Sequence, residues 1–139
     1  LEPWLAELDY HAGQIRERNR HGFRVTAGEY LFGELQFGGN DEDYYNPHNS
    51  CLNYVLEQRR GIPITLSILY MELGRRLGVQ VEGIPAPGHF LVKVEEDGDD
   101  YYIDVFNGGK IRENLEEEVD ARYLVAATKR MIFIRMLNN

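Results

Sequence analysis

The sequence predicts an α+β fold in which N-terminal helices and one central helix pack on an antiparallel β-meander. Apolar residues recur at spacings of three and four up to Gly78 and at a spacing of two after it, which is the change expected between helices and strands. Helices followed by strands are typical of the α+β class. With 139 residues, of which 43% are hydrophobic, the chain suits one core, so we expect a single domain over 1–139.

The first two helices are predicted from an apolar stripe and from a capping motif. The segment from Leu1 to about Arg20 has Pro3 in its first turn, and its apolar residues share one face. These residues are Trp4, Leu5, Leu8, Ala12 and Ile15. Thr26 and Glu29 have the spacing of a capping box, which predicts that a shorter second helix begins there.

A loop and a third helix follow. Asn40 to Pro47 is acidic and lacks a consistent period, so we expect an exposed or mobile loop. Asn49 or Ser50 is predicted to cap a helix that ends at Gly61, because such side chains accept bonds from first-turn N–H groups. Its inward residues are Leu52, Val55 and Leu56.

The central helix is predicted between Pro63 and Gly78. Proline tolerates the first turn of a helix, and glycine closes its end in the left-handed conformation. The apolar stripe consists of Leu66, Leu69, Leu73 and Leu77. Backbone N–H groups converge at a helix start and attract negative charge, so we expect any functional site near Ile62 to Thr65.

Three strands and a last helix complete the prediction. Residues alternate between apolar and polar in Val79–Glu82, Phe90–Val94 and Tyr101–Val105. Asp97 and Gly98 are typical of a two-residue hairpin turn. A short edge strand is expected at Lys110–Arg112, and a helix over 128–137.

The hairpin turn also predicts a register that brings a histidine near an aspartate. If Glu96 faces Asp99, paired residue numbers sum to 195. His89 then lies opposite Phe106, with Asp104 as its diagonal neighbour. A carboxylate beside imidazole fixes its tautomer and stabilises its charged form, as acid–base or nucleophile-activating chemistry requires. A structural hydrogen bond between strands is the alternative.

Composition argues against several classes of function. The net charge of −8 repels a phosphate backbone, so we do not expect nucleic-acid binding. No apolar run approaches the ~20 residues of a membrane helix, and the single cysteine, Cys51, fits a reducing, cytoplasmic setting. The four histidines show no close ligand spacing, so we expect neither a metal nor another cofactor.

Several motifs together resemble the transglutaminase-like domain of the bacterial SirB family, which also occurs in a eukaryotic F-box protein. They span about 26–109, with the predicted helices 1–20 and 128–137 as flanks. The motifs are Tyr45-Asn46-Pro47-His48-Asn49-Ser50, Arg59-Arg60-Gly61-Ile62-Pro63-Ile64, Pro87-Gly88-His89-Phe90 and Ile103-Asp104-Val105-Phe106-Asn107-Gly108-Gly109.

The resemblance implies a papain-like fold and the remains of a Cys-His-Asp triad. His89 and Asp104 match the histidine and aspartate of that triad, whereas the position of the cysteine falls on Pro63. The resemblance therefore implies a catalytically degenerate domain that binds a protein or peptide. The expected binding groove is formed by Ile62, Pro63, Ile64, Thr65, Gly88 and His89.

Two other functions stay open. A hydrolase or acyl transferase would need another nucleophile beside His89 and Asp104, and the candidates are Thr65, Ser67 and Cys51. Thr65 points to a different side of the helix from Pro63, while Ser67 lies one turn deeper. A scaffold with a vestigial groove is the other possibility. The oligomeric state is left open.

Overall fold

A computed structural model of the protein describes residues 3–19, 21–86 and 89–112, and the side chains of Pro3, Ala86 and His89 are outside that description. The predicted helix over 128–137 also lies outside it. The described α-helices are α1 (Pro3–Arg18), α2 (Phe23–Gly28), α3 (Leu52–Gln58) and α4 (Pro63–Arg76). The strands are β1 (Gly38–Gly39), β2 (Arg60–Gly61), β3 (Gln80–Ala86), β4 (His89–Glu96), β5 (Asp99–Asp104) and β6 (Lys110–Ile111).

Helix α1 agrees with its predicted stripe, but the start of the second helix is different. Leu8, Ala12 and Ile15 are buried. Helix α2 begins at Phe23, so Thr26 lies inside the helix and caps nothing. The Phe23 ring packs edge-on against Tyr70, with 5.3 Å between the ring centroids, and this tertiary contact favours an earlier helix start than the capping motif predicted. A π-helix over Glu29–Glu34 follows directly.

The third helix buries the predicted residues, but both of its ends differ from the prediction. Leu52, Val55 and Leu56 are buried. Asn49 and Ser50 belong to a separate 3₁₀ helix, Pro47–Ser50, so the residue before α3 is Cys51, whose side chain makes no capping bond. The helix ends at Gln58 because Arg59 adopts the left-handed conformation, with φ 59°. The capping prediction failed because Asn49 bonds instead to the loop that precedes it.

Helix α4 is the central element, as predicted. It begins at Pro63, and Gly78 beyond its end has φ 74°. Leu66, Leu69 and Leu73 are at most 2% exposed. The helix contacts α1 and α3 as well as the strands β3 and β4, so it forms the middle of the core.

The sheet has the order β3-β4-β5-β6, and all neighbouring strands are antiparallel. The predicted hairpin register is confirmed, since the pairs run from Glu96–Asp99 to Val92–Ile103. Positive φ angles at Asp97 and Gly98, of 56° and 83°, are those of the hairpin turns that match strand twist.

Strand β5 ends one residue earlier than predicted. Val105 and Phe106 belong to a 3₁₀ helix, Val105–Asn107, so His89 and Phe106 are not a pair in the described ladder. The Asp104 carboxylate causes the change, because it accepts the Asn107 N–H and turns the chain out of the strand.

A parallel pair of short strands was not predicted at all. Gly38 and Gly39 of β1 lie beside Arg60 and Gly61 of β2. This pairing brings the segment that follows the π-helix beside the segment that leads into α4. Among the helices of the described ranges, none has both the length and the apolar character that crossing a bilayer requires.

Candidate functional site

The start of α4 is held in place by main-chain and side-chain hydrogen bonds. The Asn40 N–H donates to the Gly61 carbonyl at 2.9 Å. The Thr65 hydroxyl accepts from the Ile62 N–H at 3.2 Å and donates to the Asn49 carbonyl at 2.7 Å. Gly61 must be small here, because a Cβ would lie 2.9 Å from that hydroxyl oxygen. The helix start is therefore a packed junction of three segments.

The six residues expected to form a groove have different exposures. Ile62 and Pro63 are half-buried, while Ile64 and Thr65 are buried. Gly88 lies outside the described residues, and His89 is described only by its backbone, as the first residue of β4. At the helix start, only the Ile62 and Pro63 side chains are thus open to a ligand.

Asp104 is a buried carboxylate at the end of β5, 4% exposed. Its Oδ1 accepts the Asn107 N–H at 3.2 Å, and its Oδ2 accepts the Asn107 side-chain amide at 2.8 Å. Arg112 Nη1 lies 3.6 Å from the same Oδ2. Through these bonds the Asp104 carboxylate stabilises the 3₁₀ turn Val105–Asn107, which contains Phe106.

His89 is the first residue of β4 and Asp104 is the last residue of β5, so the two predicted triad residues lie at the same end of the hairpin. The described ladder ends with the pair Val92–Ile103, and its continuation by one residue would place Leu91, two residues after His89, level with Asp104. A position two residues away on the neighbouring strand is the diagonal place, about 7–8 Å between Cβ atoms or less. Contact between the two side chains stays a prediction.

The two hydroxyl candidates for a nucleophile are buried inside the fold. Thr65 is 0% exposed, and its hydroxyl already donates to Asn49. Ser67 is also 0% exposed, and its Oγ has no hydrogen-bond partner in the described part of the chain. Neither hydroxyl is presented to a substrate.

Cys51 lies on the other side of α4 from the sheet. It lines a cavity of about 360 Å³ with Trp4, Leu5 and Ile68, among other residues. Gly74 packs on Val81 of β3, whereas Glu72, which lines the same cavity as Cys51, is two residues from Gly74 and lies on the opposite side of α4 by the helical period. The thiol is therefore separated by the central helix from the strands that carry His89 and Asp104.

Side-chain hydrogen bonds form a network in the loop before the 3₁₀ helix, and this network was not predicted from the sequence. The Asn49 amide donates to the carbonyls of Asp43 and Tyr44, at 2.8 Å each. Its Oδ1 accepts from the Asn40 amide, also at 2.8 Å. The loop side chains of residues 41–45 are exposed, as predicted. The concentration of asparagines around this loop was the signal that could have indicated the network.

No metal site is visible in the ranges that the structure describes, because no three His, Cys, Asp or Glu side chains converge there. The described site residues are thus an apolar helix start, a buried carboxylate and a loop fixed by asparagines. Ile62 and Pro63 are the half-buried side chains at this helix start, and no described nucleophile lies beside them.

Known proteins share this sequence over most of its length. A UPF0162 protein of Xylella fastidiosa (strain 9a5c) is 36% identical over 148 residues, covering 95% of this chain and 53% of the relative. A UPF0162 protein of Vibrio cholerae is 36% identical over 95 residues, or 68% of this chain and 35% of the relative. F-box only protein 21 of Mus musculus is 42% identical over 115 residues, or 74% of this chain and 18% of the relative.

The chain thus spans about half the length of the Xylella relative, and much less of the F-box protein. No solved structure gives a significant match. The family model described as transglutaminase-like superfamily matches residues 2–138, and the α+β architecture agrees with it. The chain therefore belongs to the transglutaminase-like superfamily.

Proposed function

We propose that this protein is a catalytically degenerate transglutaminase-like domain of the SirB type, which binds a protein or peptide segment instead of transforming it. The proposed binding site is a groove between the start of α4 and the start of β4, where Ile62 and Pro63 are half-buried; its expected lining is Ile62, Pro63, Ile64, Thr65, Gly88 and His89. The observation that carries the proposal is the residue at the helix start. Pro63 is the first residue of α4, where the triad of the superfamily would need a thiol.

The other candidate nucleophiles support the same conclusion. A nucleophile must reach both its base and the substrate. Thr65 is fully buried and bonded to Asn49, Ser67 is fully buried, and Cys51 lines a cavity on the far side of α4. The bonds of Asp104 to Asn107 also explain this carboxylate without any catalytic role. A hydrolase or acyl transferase is therefore the less favoured function.

The lengths of the relatives agree with a binding module. Matching segments make up 53% of the Xylella protein and 18% of the mouse F-box protein, so the same domain is combined with quite different amounts of additional chain. A domain that recognises a partner suits such combinations, because its function does not require the rest of the chain to be constant.

The first part of the test is for turnover. The purified protein is incubated with casein and a fluorescent amine, and both cleavage and amine incorporation are measured. We expect neither reaction above a sample without protein. Turnover that disappears in a His89→Ala variant would show that the protein is an enzyme.

The second part is for binding at the groove. A photoreactive amino acid is placed at Ile62, which is half-buried at the helix start, and, as a matched control, at Tyr10, which is 60% exposed on α1. We expect an extract of the cell of origin to give a discrete crosslinked protein from position 62 only, and that protein then to bind the unmodified domain in purified form. Equal crosslinking from both positions, or none, would argue against a groove at the helix start.

A further inference from the structure

Two exposed tyrosines and a half-buried phenylalanine form an aromatic surface, which we call the tyrosine face (Tyr44, Tyr45 and Phe106). Tyr45 is 93% exposed and Tyr44 is 42% exposed. Their rings meet edge to face at 5.3 Å between centroids, and Tyr44 meets Phe106 in the same way at 5.8 Å. An aromatic side chain so open to water contributes little to folding. Tyrosine is, however, among the residues that most often supply binding energy at interfaces.

The tyrosine face is held in position without a partner. Asn49, which is 1% exposed, donates to the carbonyls of Asp43 and Tyr44 from beneath the loop. The Asn46 amide donates to the Asp43 carboxylate at 2.8 Å. Ordering a loop on binding costs free energy. Because these bonds already order the loop, a partner of the tyrosine face would not have to supply that free energy.

An open cavity adjoins the tyrosine face. It has a volume of about 570 Å³, and its lining includes Phe32, Gly39, Asp41 and Glu42. The Phe106 ring lies against Gly39, where no side chain would fit. Phe106 therefore links the aromatic surface to the cavity, so that one extended ligand can contact both.

The charges around the cavity are not balanced. Asp41 and Glu42 are exposed, and neither belongs to an ion pair within residues 3–19, 21–86 and 89–112. Arg60 also lines the cavity, and its guanidinium, which donates to the carbonyls of Gln36 and Arg59 at 2.5 and 2.9 Å, offsets only one of the two negative charges. The whole chain carries a net charge of −8. Because negative charge predominates, this surface attracts a cationic ligand.

We propose that the tyrosine face and the adjoining cavity bind a basic peptide segment of a partner protein, one that contains several arginines or lysines. Its guanidinium or ammonium groups stack on the Tyr45 and Tyr44 rings and pair with Asp41 and Glu42. This surface is separate from the Ile62–Pro63 groove, and the proposal does not depend on that groove being a binding site.

The test uses short fluorescein-labelled peptides and the whole protein. One peptide is rich in arginine and leucine, and the other has glutamate in place of every arginine. We expect fluorescence anisotropy to show saturable binding of the arginine peptide, weaker at high salt, and no binding of the glutamate peptide. Absence of binding by the arginine peptide, or equal binding of both, would overturn the proposal.

Matched variants locate the site. Tyr45→Ala should weaken binding of the arginine peptide about tenfold, which corresponds to ~1.4 kcal/mol. Tyr10→Ala, at a tyrosine that is 60% exposed on α1, should have no effect. The double variant Asp41→Asn/Glu42→Gln should weaken binding by about five- to tenfold and reduce its dependence on salt. The control Asp99→Asn/Asp100→Asn removes the same charge from an exposed hairpin.

All of these substitutions are at exposed side chains, so we expect the circular dichroism spectra and the unfolding midpoints to match the parent. If the hairpin variant weakens binding as much as the loop variant, the attraction is diffuse and the proposed site is wrong. If Tyr45→Ala binds like the parent protein, the tyrosine face is not the binding surface.

Discussion

The Thr65 hydroxyl donates a 2.7 Å hydrogen bond to the main-chain carbonyl of Asn49. The two residues are 0% and 1% exposed, so water cannot replace the bond if it is lost. The bond ties the first turn of α4 to the segment that fixes the tyrosine face. It also gives the Thr65 hydroxyl, one of the candidates for a substitute nucleophile, a structural role.

Replacing Thr65 by valine should therefore destabilise the protein. The variant keeps the shape of the side chain but leaves the buried Asn49 carbonyl without this donor, at a cost of about 1–3 kcal/mol. Urea unfolding followed by circular dichroism measures the change. Thr65→Ser keeps the hydroxyl and should lose clearly less; a Thr65→Val variant as stable as the parent would show that the bond contributes little.

Pro63→Cys should show whether the inherited site still activates a thiol. A helix start and a nearby imidazole both lower the pKa of a cysteine. If His89 and Asp104 lie as predicted, the new thiol should react with iodoacetamide at mildly acidic pH much faster than a free cysteine. The reaction rate is measured by mass spectrometry in a Cys51→Ser background.

The parent protein provides the control for this prediction. We expect alkylation of Cys51 to leave binding unchanged, because the cavity that Cys51 lines includes neither Ile62 nor Pro63. An unreactive thiol in a folded Pro63→Cys variant would show that the pocket no longer supports a thiolate. Cleavage or crosslinking of peptides by the parent through Cys51 would refute the degenerate-enzyme proposal.

His11 should make stability sensitive to acid. It is buried on α1, with its Nδ1 2.7 Å from the Tyr30 hydroxyl and its Nε2 3.5 Å from a Glu7 oxygen. Burial lowers the pKa of His11 below its ordinary value of 6.5, and Arg59 lowers it further, although Glu7 opposes both effects. The unfolded chain therefore binds the proton first as the pH falls, so this residue contributes stability that is complete above 6.5 and is lost below that value.

The measurement compares urea midpoints at about pH 7.5 and about pH 5. His11→Gln should lose less stability between these two values than the parent protein, because it has no imidazole to protonate. His21→Gln, at an exposed position, is the matched control and should behave like the parent. If His11→Gln shows the same acid sensitivity as the parent, the buried histidine is not its source.

Gly74 should be a position where α4 tolerates no side chain. A Cβ there would lie 2.5 Å from Val81 Cγ2 and 3.2 Å from the Val79 carbonyl oxygen. Gly74→Ala should destabilise the protein by about 1–3 kcal/mol, because helix and strand would have to separate. At Gly13 of α1 a Cβ meets nothing within 4 Å, so Gly13→Ala should stabilise by about 0.5–1 kcal/mol. Thermal unfolding of both variants checks the prediction, and a Gly74→Ala variant with the same unfolding midpoint as the parent would contradict it.

Much of the fold could be predicted because the signals are local. Pro63 and Gly78 bracket the central helix within a single segment, and the structure has both where expected. Asp97 and Gly98 determine a tight turn, and a tight turn determines the register of the strands that it joins. That register is the one observed. The sequence alone therefore predicts that His89 and Asp104 lie at the same end of the hairpin, where β4 begins and β5 ends.

The errors occur where a distant segment decides the outcome. Phe23 starts α2 because its ring packs on Tyr70, and β1 pairs with β2 across about twenty residues of chain that show no strand pattern. Asn49 resembles a helix cap because its residue type suits one. Only the position of the Asp43 and Tyr44 carbonyls shows that it holds the loop instead.

The sequence by itself determined the central helix, the hairpin and the absence of a thiol at Pro63, since each depends on residue types within a few positions of one another. The tertiary structure decided which polar groups are already bonded and which are open. In the folded protein the Thr65 hydroxyl donates to the Asn49 carbonyl. Cys51 lines a cavity on the side of α4 away from the sheet, and the Tyr45 side chain is exposed. Hydrogen-bond partners and burial depend on segments that meet only after folding, and for that reason no local pattern contains them.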